Sequence, residues 1–190
     1  MARETDLMNL MNRIESLESR VRFLSRLESG GGKVVSVQYA EFTATQASSV
    51  GAGGSVAIST LSITHAMAKS TNKLLLLATV GIVANSDSYA EVGVAFAVNG
   101  AMFPLGNSAG SRTRVTATGA TGAGSAGAAQ PRHISTVYTP GTTASKAYTV
   151  RAINVVGGTR TVYINRRQND ADAAYEPRGA STLTLIEYED

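Results

Sequence analysis

The chain has 190 residues, no cysteine, two histidines and a formal net charge of +3. That length bounds it to one or two domains. The absence of cysteine excludes a disulfide framework, a thiolate nucleophile and a cysteine-held metal, and His65 and His133 alone make a poor zinc site, so no cofactor is expected.

In chain order, the first element is a heptad repeat from Asp6 to Glu28. Position a falls on Leu7, Ile14 and Val21, and position d on Leu10, Leu17 and Leu24. Apolar steps of three and four make the seam of a left-handed coiled coil, and Ile or Val at a with Leu at d by itself leans toward a dimer. Arg13 falls at g and Glu18 at the following e, so each can pair across neighbouring helices. The Arg13 stem can lie over the seam while its charge stays in water. The string Arg13-Ile14-Glu15-Ser16-Leu17-Glu18 resembles the short trimerisation motif of parallel three-stranded coiled coils. At ~1.5 Å per residue such a helix is about 35 Å long. Isolated helices of that length are marginal in water, so this one needs partners. The competing reading is an amphipathic helix packed on its own domain. Gly30-Gly31-Gly32 ends the helix and separates it from the rest of the chain.

The period then changes to two. Lys33 to Thr45 alternates Val35, Val37 and Tyr39 with Ser36, Gln38 and Ala40 and predicts a strand. Ala47 to Gly54 is rich in small residues and is expected to be a loop. Ser55 to Ala66 is a strand whose alternation slips at Ser59-Thr60, the mark of a bulge. Lys73 to Ala84 is apolar on both faces, as in a strand inside a sandwich. Tyr89 to Val98 puts Val92, Val94, Phe96 and Val98 on one face and Gly93, Ala95 and Ala97 on the other, where close packing is possible. Asn99-Gly100 predicts a type I′ turn into Ala101-Met102-Phe103. Arg112 to Thr118 reads as a strand, and Gly119 to Ala129 as a loop. His133 to Thr139, Lys146 to Val155, Thr159 to Asn165 and Ser181 to Tyr188 are further strands, with a tight turn at Gly157-Gly158 and a polar loop from Gln168 to Gly179.

About nine strands without helical periodicity after Ser29 predict a mainly β protein. The expected fold is an N-terminal trimeric coiled-coil helix (1–29), a glycine hinge (30–32) and a single antiparallel β-sandwich of jelly-roll type (33–190). The expected core contains Val37, Ile58, Leu76, Val80, Val94, Phe96, Val150, Ile153, Val162, Ile164, Leu183 and Leu185. The order coiled coil, then Val94 to Gly100, then Thr161-Val162-Tyr163-Ile164, then Arg178 to Tyr188, resembles the trimeric jelly-roll virion proteins of tailed bacteriophages. Those proteins occur in head decorations and in fibres and have a topology similar to tumour-necrosis-factor and C1q-like trimers.

Chemical motifs are weak. Gly106-Asn107-Ser108-Ala109-Gly110 matches the nucleophile elbow, which needs a helix directly after it; here a strand is expected. Gly122 to Gly127 matches G-x-G-x-x-G, but Pro131 follows where a helix would have to continue. Asp170, Asp172 and Glu176 share one loop and could offer oxygen ligands to Ca²⁺, without the EF-hand spacing. A solvated acidic loop facing Arg166 and Arg167 is the simpler reading. No acid lies between Glu91 and Asp170, whereas Arg112, Arg114, Arg132, Lys146, Arg151, Arg160, Arg166 and Arg167 do. They are spread over several expected strands with few aromatics, so solvent-facing arginines are expected rather than a nucleic-acid site.

The longest apolar run, Leu74 to Ala84, is about half a membrane span. No basic and then apolar stretch of the signal-peptide kind is expected at the start. A soluble protein made in a cytoplasm is expected, with no enzymatic activity; the resemblance implies that it is carried in a virion. With only Met1 to Thr5 ahead of a short stalk, the molecule is expected to sit on a surface rather than project from it. The resemblance implies a homotrimeric capsid decoration or cement protein with the major capsid protein as partner; the alternative is a tail-fibre or other tail-associated receptor-binding protein.

Overall fold

A computed structural model describes residues 32–86, 91–119, 130–170 and 178–189. The heptad residues Leu7, Leu10, Arg13, Ile14, Leu17, Glu18, Val21 and Leu24 lie outside the described residues. The described chain is mainly β, and every strand pairing is antiparallel. The strands are β1 (Val34–Phe42), β2 (Gln46–Val50), β3 (Ser55–His65), β4 (Lys73–Asn85), β5 (Val92–Val98), β6 (Ala101–Phe103), β7 (Ala117–Gly119), β8 (Gln130–Tyr138), β9 (Lys146–Asn154), β10 (Arg160–Ile164) and β11 (Ser181–Tyr188).

The larger sheet is built around β4. One edge of β4 pairs with β8 over its length. The other edge pairs first with β11 and then, beyond Gly81, with β10. β1 pairs with β11 and β2 with β10, so β1 and β2 form one interrupted outer row. In the smaller sheet β3 pairs with β9 and β9 with β5, while β6 and β7 share the far edge of β5 end to end. One apolar cluster joins both sheets. It includes Ile58, Leu61 and Ile63 of β3, Leu74, Leu76 and Val80 of β4, Val94 and Phe96 of β5, and Leu183 and Leu185 of β11. Burial of this period-2 face is the main force holding the sandwich together.

The local turn chemistry forms as the sequence predicts. Asn99 and Gly100 both take positive φ, 48° and 87°, as a type I′ turn requires. The slip at Ser59-Thr60 is a bulge, with Thr60 at φ 57° and a register shift between Ala57 and Ser62. Gly93 admits no side chain: a Cβ there would stand 2.2 Å from Cγ1 of Val115. The segment after β6 therefore lies on the outer face of β5, and both faces of that strand are buried up to Ala97.

Three expectations are corrected. Residues 47–50, expected in a loop, lie in β2, because their backbone finds a partner in β10. The strand expected over 112–118 shrinks to β7: residues 112–115 lie off the ladder, with Val115 packed over Gly93, and pairing with β5 starts at Thr116, whose amide donates to Val94 O at 3.0 Å. Val37, expected in the core, points outward; the inward residues of β1 are Ser36, Gln38, Ala40 and Phe42. The other expected core residues are buried.

The interruption between β10 and β11 is organised by Asn165, fully buried at φ 59°. Its side-chain nitrogen donates to the carbonyls of Phe42 (2.6 Å) and Ala44 (3.0 Å), between β1 and β2. Its side-chain oxygen accepts from the Ser181 hydroxyl at 2.6 Å, and its backbone nitrogen donates to Ile82 O at 2.7 Å. A single side chain thus satisfies the polar backbone exposed where two neighbouring rows break together. Asn154 plays the same part at the other end, donating to the carbonyls of Val50, Gly51 and Gly158.

Candidate interface

Strand alternation in the larger sheet turns one set of side chains into the core and the other to solvent. The registers align the outward set in rows across β1, β11, β4 and β8. One row is Val37, Ile186, Leu75 and Val137; the next is Tyr39, Thr184, Leu77 and Ser135; the third is Glu41, Thr182, Thr79 and His133. Val34 pairs with Tyr188 ahead of the first row. The face is therefore apolar toward the start of β1 and polar toward its end.

Among the described residues, the exposed large apolar side chains are Val34, Val35, Val37, Tyr39, Leu77 and Val137, and all belong to strands of this sheet. Val37 is 60% exposed, Tyr39 59% and Val137 54%. Single exposed apolar residues are ordinary; here they gather on one sheet. The middle of the face carries no charge, with Glu41 near one end and Lys73, paired with Tyr188, at the other. A shallow concavity of about 340 Å³ lies on it, lined by Leu77, Thr79, His133, Ser135, Thr182 and Thr184 among others. Thr79 Oγ1 stands 2.9 Å from His133 Nδ1 there.

Where this face begins, the sandwich is closed by a buried carboxylate. Glu187 of β11 is 1% exposed. Its oxygens accept from Nε2 of His65 at 2.8 Å, the amide of Ala68 at 2.8 Å and Nδ2 of Asn72 at 2.6 Å. The amide nitrogen of Gln38 lies 3.1 Å from Nδ1 of His65. With Gln38 so oriented, Nδ1 accepts and Nε2 carries the proton given to Glu187. Burial works against the charge of Glu187, but the hydrogen bonds from Asn72, Ala68 and His65 outweigh it and hold the carboxyl below the usual glutamate range. The cluster ties β1, β3, β11 and the link before β4 together. Sequence reading missed it, although the signal was present: Glu187 shares the inward phase of Leu183 and Leu185.

Of the two catalytic-looking strings, Gly106 to Gly110 lies among the described residues. Ser108 lies in the irregular segment between β6 and β7, with no helix after it, and His133 lies on β8 in the other sheet. Gly122 to Gly127 lie outside the described residues, as do Asp172 and Glu176. Asp170 is held by Arg178, with Nε and NH2 each 3.0 Å from a carboxylate oxygen, and by Arg166 at 3.4 Å. The Arg178 hydrogen bonds above all keep its carboxyl below the usual range. Its oxygens are thus turned to guanidinium groups. Among the described residues no group of three or more His, Asp or Glu is placed to hold a metal. No helix among them is long and apolar enough to cross a membrane.

The basic residues between Glu91 and Asp170 are spread over several strands as expected, but only Arg112 and Arg114 are exposed; Lys146, Arg151, Arg160, Arg166 and Arg167 are half-buried. Arg112 and Arg114 are exposed after β6, Arg151 bonds Ser55 in the smaller sheet, and Arg166 packs 5.1 Å over the ring of Tyr163. Arg132, expected at the surface, is buried on β8, and that burial lowers its pKa against the opposing pull of Glu91.

No family model matches the sequence, and no curated protein matches it. Among solved structures, dimeric latent PorU from Porphyromonas gingivalis is similar at TM-score 0.41 and 7% identity, over 84% of this chain and 13% of that one. Infectious bursal virus derived T=1 particles follow at TM-score 0.38 and 11% identity, over 83% and 36%. The infectious bursal disease virus Gx strain gives TM-score 0.33 and 14% identity, over 82% and 37%. The chain spans between 13% and 37% of the length of these chains. At such scores these neighbours assign neither a fold nor a family.

Proposed function

We propose that the chain is a structural protein of a tailed-phage virion. In this reading it is a homotrimer whose helices associate through Leu7, Leu10, Ile14, Leu17, Val21 and Leu24, with Arg13 and Glu18 paired across chains. Its sandwich is a jelly roll: the interrupted strands count as single rows, and the chain crosses between the sheets so that the first and last rows lie side by side. The trimer decorates or cements the capsid and has no catalytic role.

The observation that carries this reading is the pairing of a heptad seam with a sandwich whose exposed large apolar residues gather on one sheet face. Both features are built for contact between macromolecules. A closed trimer matches a local threefold position of an icosahedral shell, where one oligomer can bridge neighbouring capsomers through equivalent contacts. Binding only the assembled shell, it would stabilise that shell by mass action.

Quantitative mass spectrometry of purified virions tests this. Copy numbers comparable to the major capsid protein are expected. A few tens of copies per particle would overturn the decoration role in favour of a tail-fibre or tail-associated one, and absence from virions would overturn both.

A further inference from the structure

We infer that the outer face of the smaller sheet, with the segment packed over it, is the side by which this chain docks on an acidic protein surface. This rests on the virion reading above, in which that acidic surface belongs to the shell.

The placement follows from strand phase. Val150 and Ala152 of β9 join the core, so Arg151 between them points outward, beside Ala57 of β3 and Ala95 of β5. Val115 packs over the outer face of β5 at Gly93, and the exposed Arg112 and Arg114 belong to the same segment. Three guanidinium groups thus fall on one side of the sandwich. The exposed residues of β3 that share this face are short, namely Ala57, Ser62 and Thr64. An opposing surface can approach the arginines closely and find hydroxyls beside them.

The charges are sorted between the two sheets. Among the described residues the carboxylates are those of Glu41, Glu91, Asp170, Glu187 and Glu189. Glu41 and Glu187 lie on the larger sheet, and Asp170 and Glu189 flank β11 of that sheet. Asp170 is paired with Arg178, and Glu189 with Lys69. Of the five, only Glu91 adjoins the smaller sheet, just before β5, where it accepts from the Thr118 hydroxyl at 3.1 Å. Among the described residues Arg112, Arg114 and Arg151 make no ion pair. Arg114 Nε donates to Gly106 O at 2.6 Å, and Arg151 donates to Ser55. Neutral acceptors position a guanidinium without cancelling its charge, so the positive field of this face stays open to a partner.

Chemistry selects among anionic partners. Single-stranded nucleic acid is held by stacking on aromatic side chains, and the exposed Tyr39 lies on the other sheet. Duplex binding draws on about 6–10 phosphate contacts, more than three arginines supply. A membrane surface takes up apolar side chains, and the exposed large ones belong to the larger sheet. A protein surface rich in carboxylates needs only forked donors and short polar neighbours, and this face offers both.

The test uses purified virions carrying the full chain, washed in steps of rising NaCl, with the retained protein measured by quantitative mass spectrometry. Wild type is expected to leave as salt screens the contact. The double variant Arg112→Gln, Arg114→Gln should leave at a severalfold lower salt concentration. Arg112→Gln alone removes a side chain with no internal partner among the described residues, and should shift release in the same direction by less. Arg112→Lys with Arg114→Lys keeps the charge and should recover most of the retention. Lys69→Gln, at the Glu189 pair, should release as wild type does. Release of wild type and the double Gln variant at the same salt overturns this inference alone. So does a Lys variant lost as readily as the Gln one, because the packing of the segment rather than its charge would then hold the contact. Binding of the free protein to duplex DNA at physiological salt, lost in the Gln variant, overturns it in favour of a nucleic-acid partner. Absence of the wild-type protein from virions overturns the virion reading and this docking surface together.

Discussion

Glu187 shows how one side chain can fix the end of a sandwich. A buried carboxylate is tolerated only when its oxygens are satisfied, and here the donors come from His65, Ala68 and Asn72. Its folded pKa lies below the unfolded value, so the stability it contributes is present above the unfolded pKa near ~4.3 and is lost as pH falls through the folded value. The urea midpoint should accordingly fall on acidification below about pH 5. Asp170 and Glu189 are shifted the same way and contribute to the same fall. Glu187→Gln should lower the midpoint at pH 7 and flatten its pH slope relative to wild type; an unchanged slope would show that the other carboxylates account for it. At Asn165, the Ala variant leaves the carbonyls of Phe42 and Ala44 without their donor. It should cost about 1–3 kcal/mol by denaturant unfolding.

The elements depend on glycines where two backbones or a backbone and a crossing segment meet. Gly81 and Gly93 both lie in strands without positive φ, so alanine there tests space rather than backbone freedom. At Gly81 a Cβ would meet the backbone oxygen of Ala180 at 2.3 Å, where the chain turns into β11. At Gly93 it would meet the side chain of Val115, in the irregular segment before β7. Both alanine variants should destabilise, by about 1–3 kcal/mol for such overpacking. Gly81→Ala should be the worse of the two, because a backbone neighbour yields less than a side chain. Thermal unfolding of the two variants side by side checks the order.

The whole molecule is predicted to be a trimer at micromolar concentration, and sedimentation equilibrium reads this directly. Ile14→Asp should release monomers, because it places an unpaired carboxylate in the seam, a loss of several kcal/mol. If Ile14→Asp keeps the trimer mass, the seam does not hold the copies together. The mainly β sandwich, its bulge at Thr60 and its Asn99-Gly100 turn were all legible in the sequence, because each is written in neighbouring residues: a period of two, a slip in that period, or a pair that accepts positive φ.

What the tertiary structure alone decided is which alternative each local pattern takes. Alternation in β1 separates Val35, Val37 and Tyr39 from Ser36, Gln38 and Ala40, but a period of two does not say which set faces in. The decision comes from a distance: Phe42 joins the core and Gln38 meets His65, so the valines turn outward and make a surface instead of a core. β2 is a strand for a similar reason, since small residues with little propensity of their own are held by the ladder of β10. Asn154, Asn165 and Glu187 draw their partners from strands and turns far away in sequence. Local chemistry specified the elements, because hydrophobic period and turn preference act between neighbours. Pairing and burial specified the faces and the buried polar centres, because those depend on groups that only folding brings within reach.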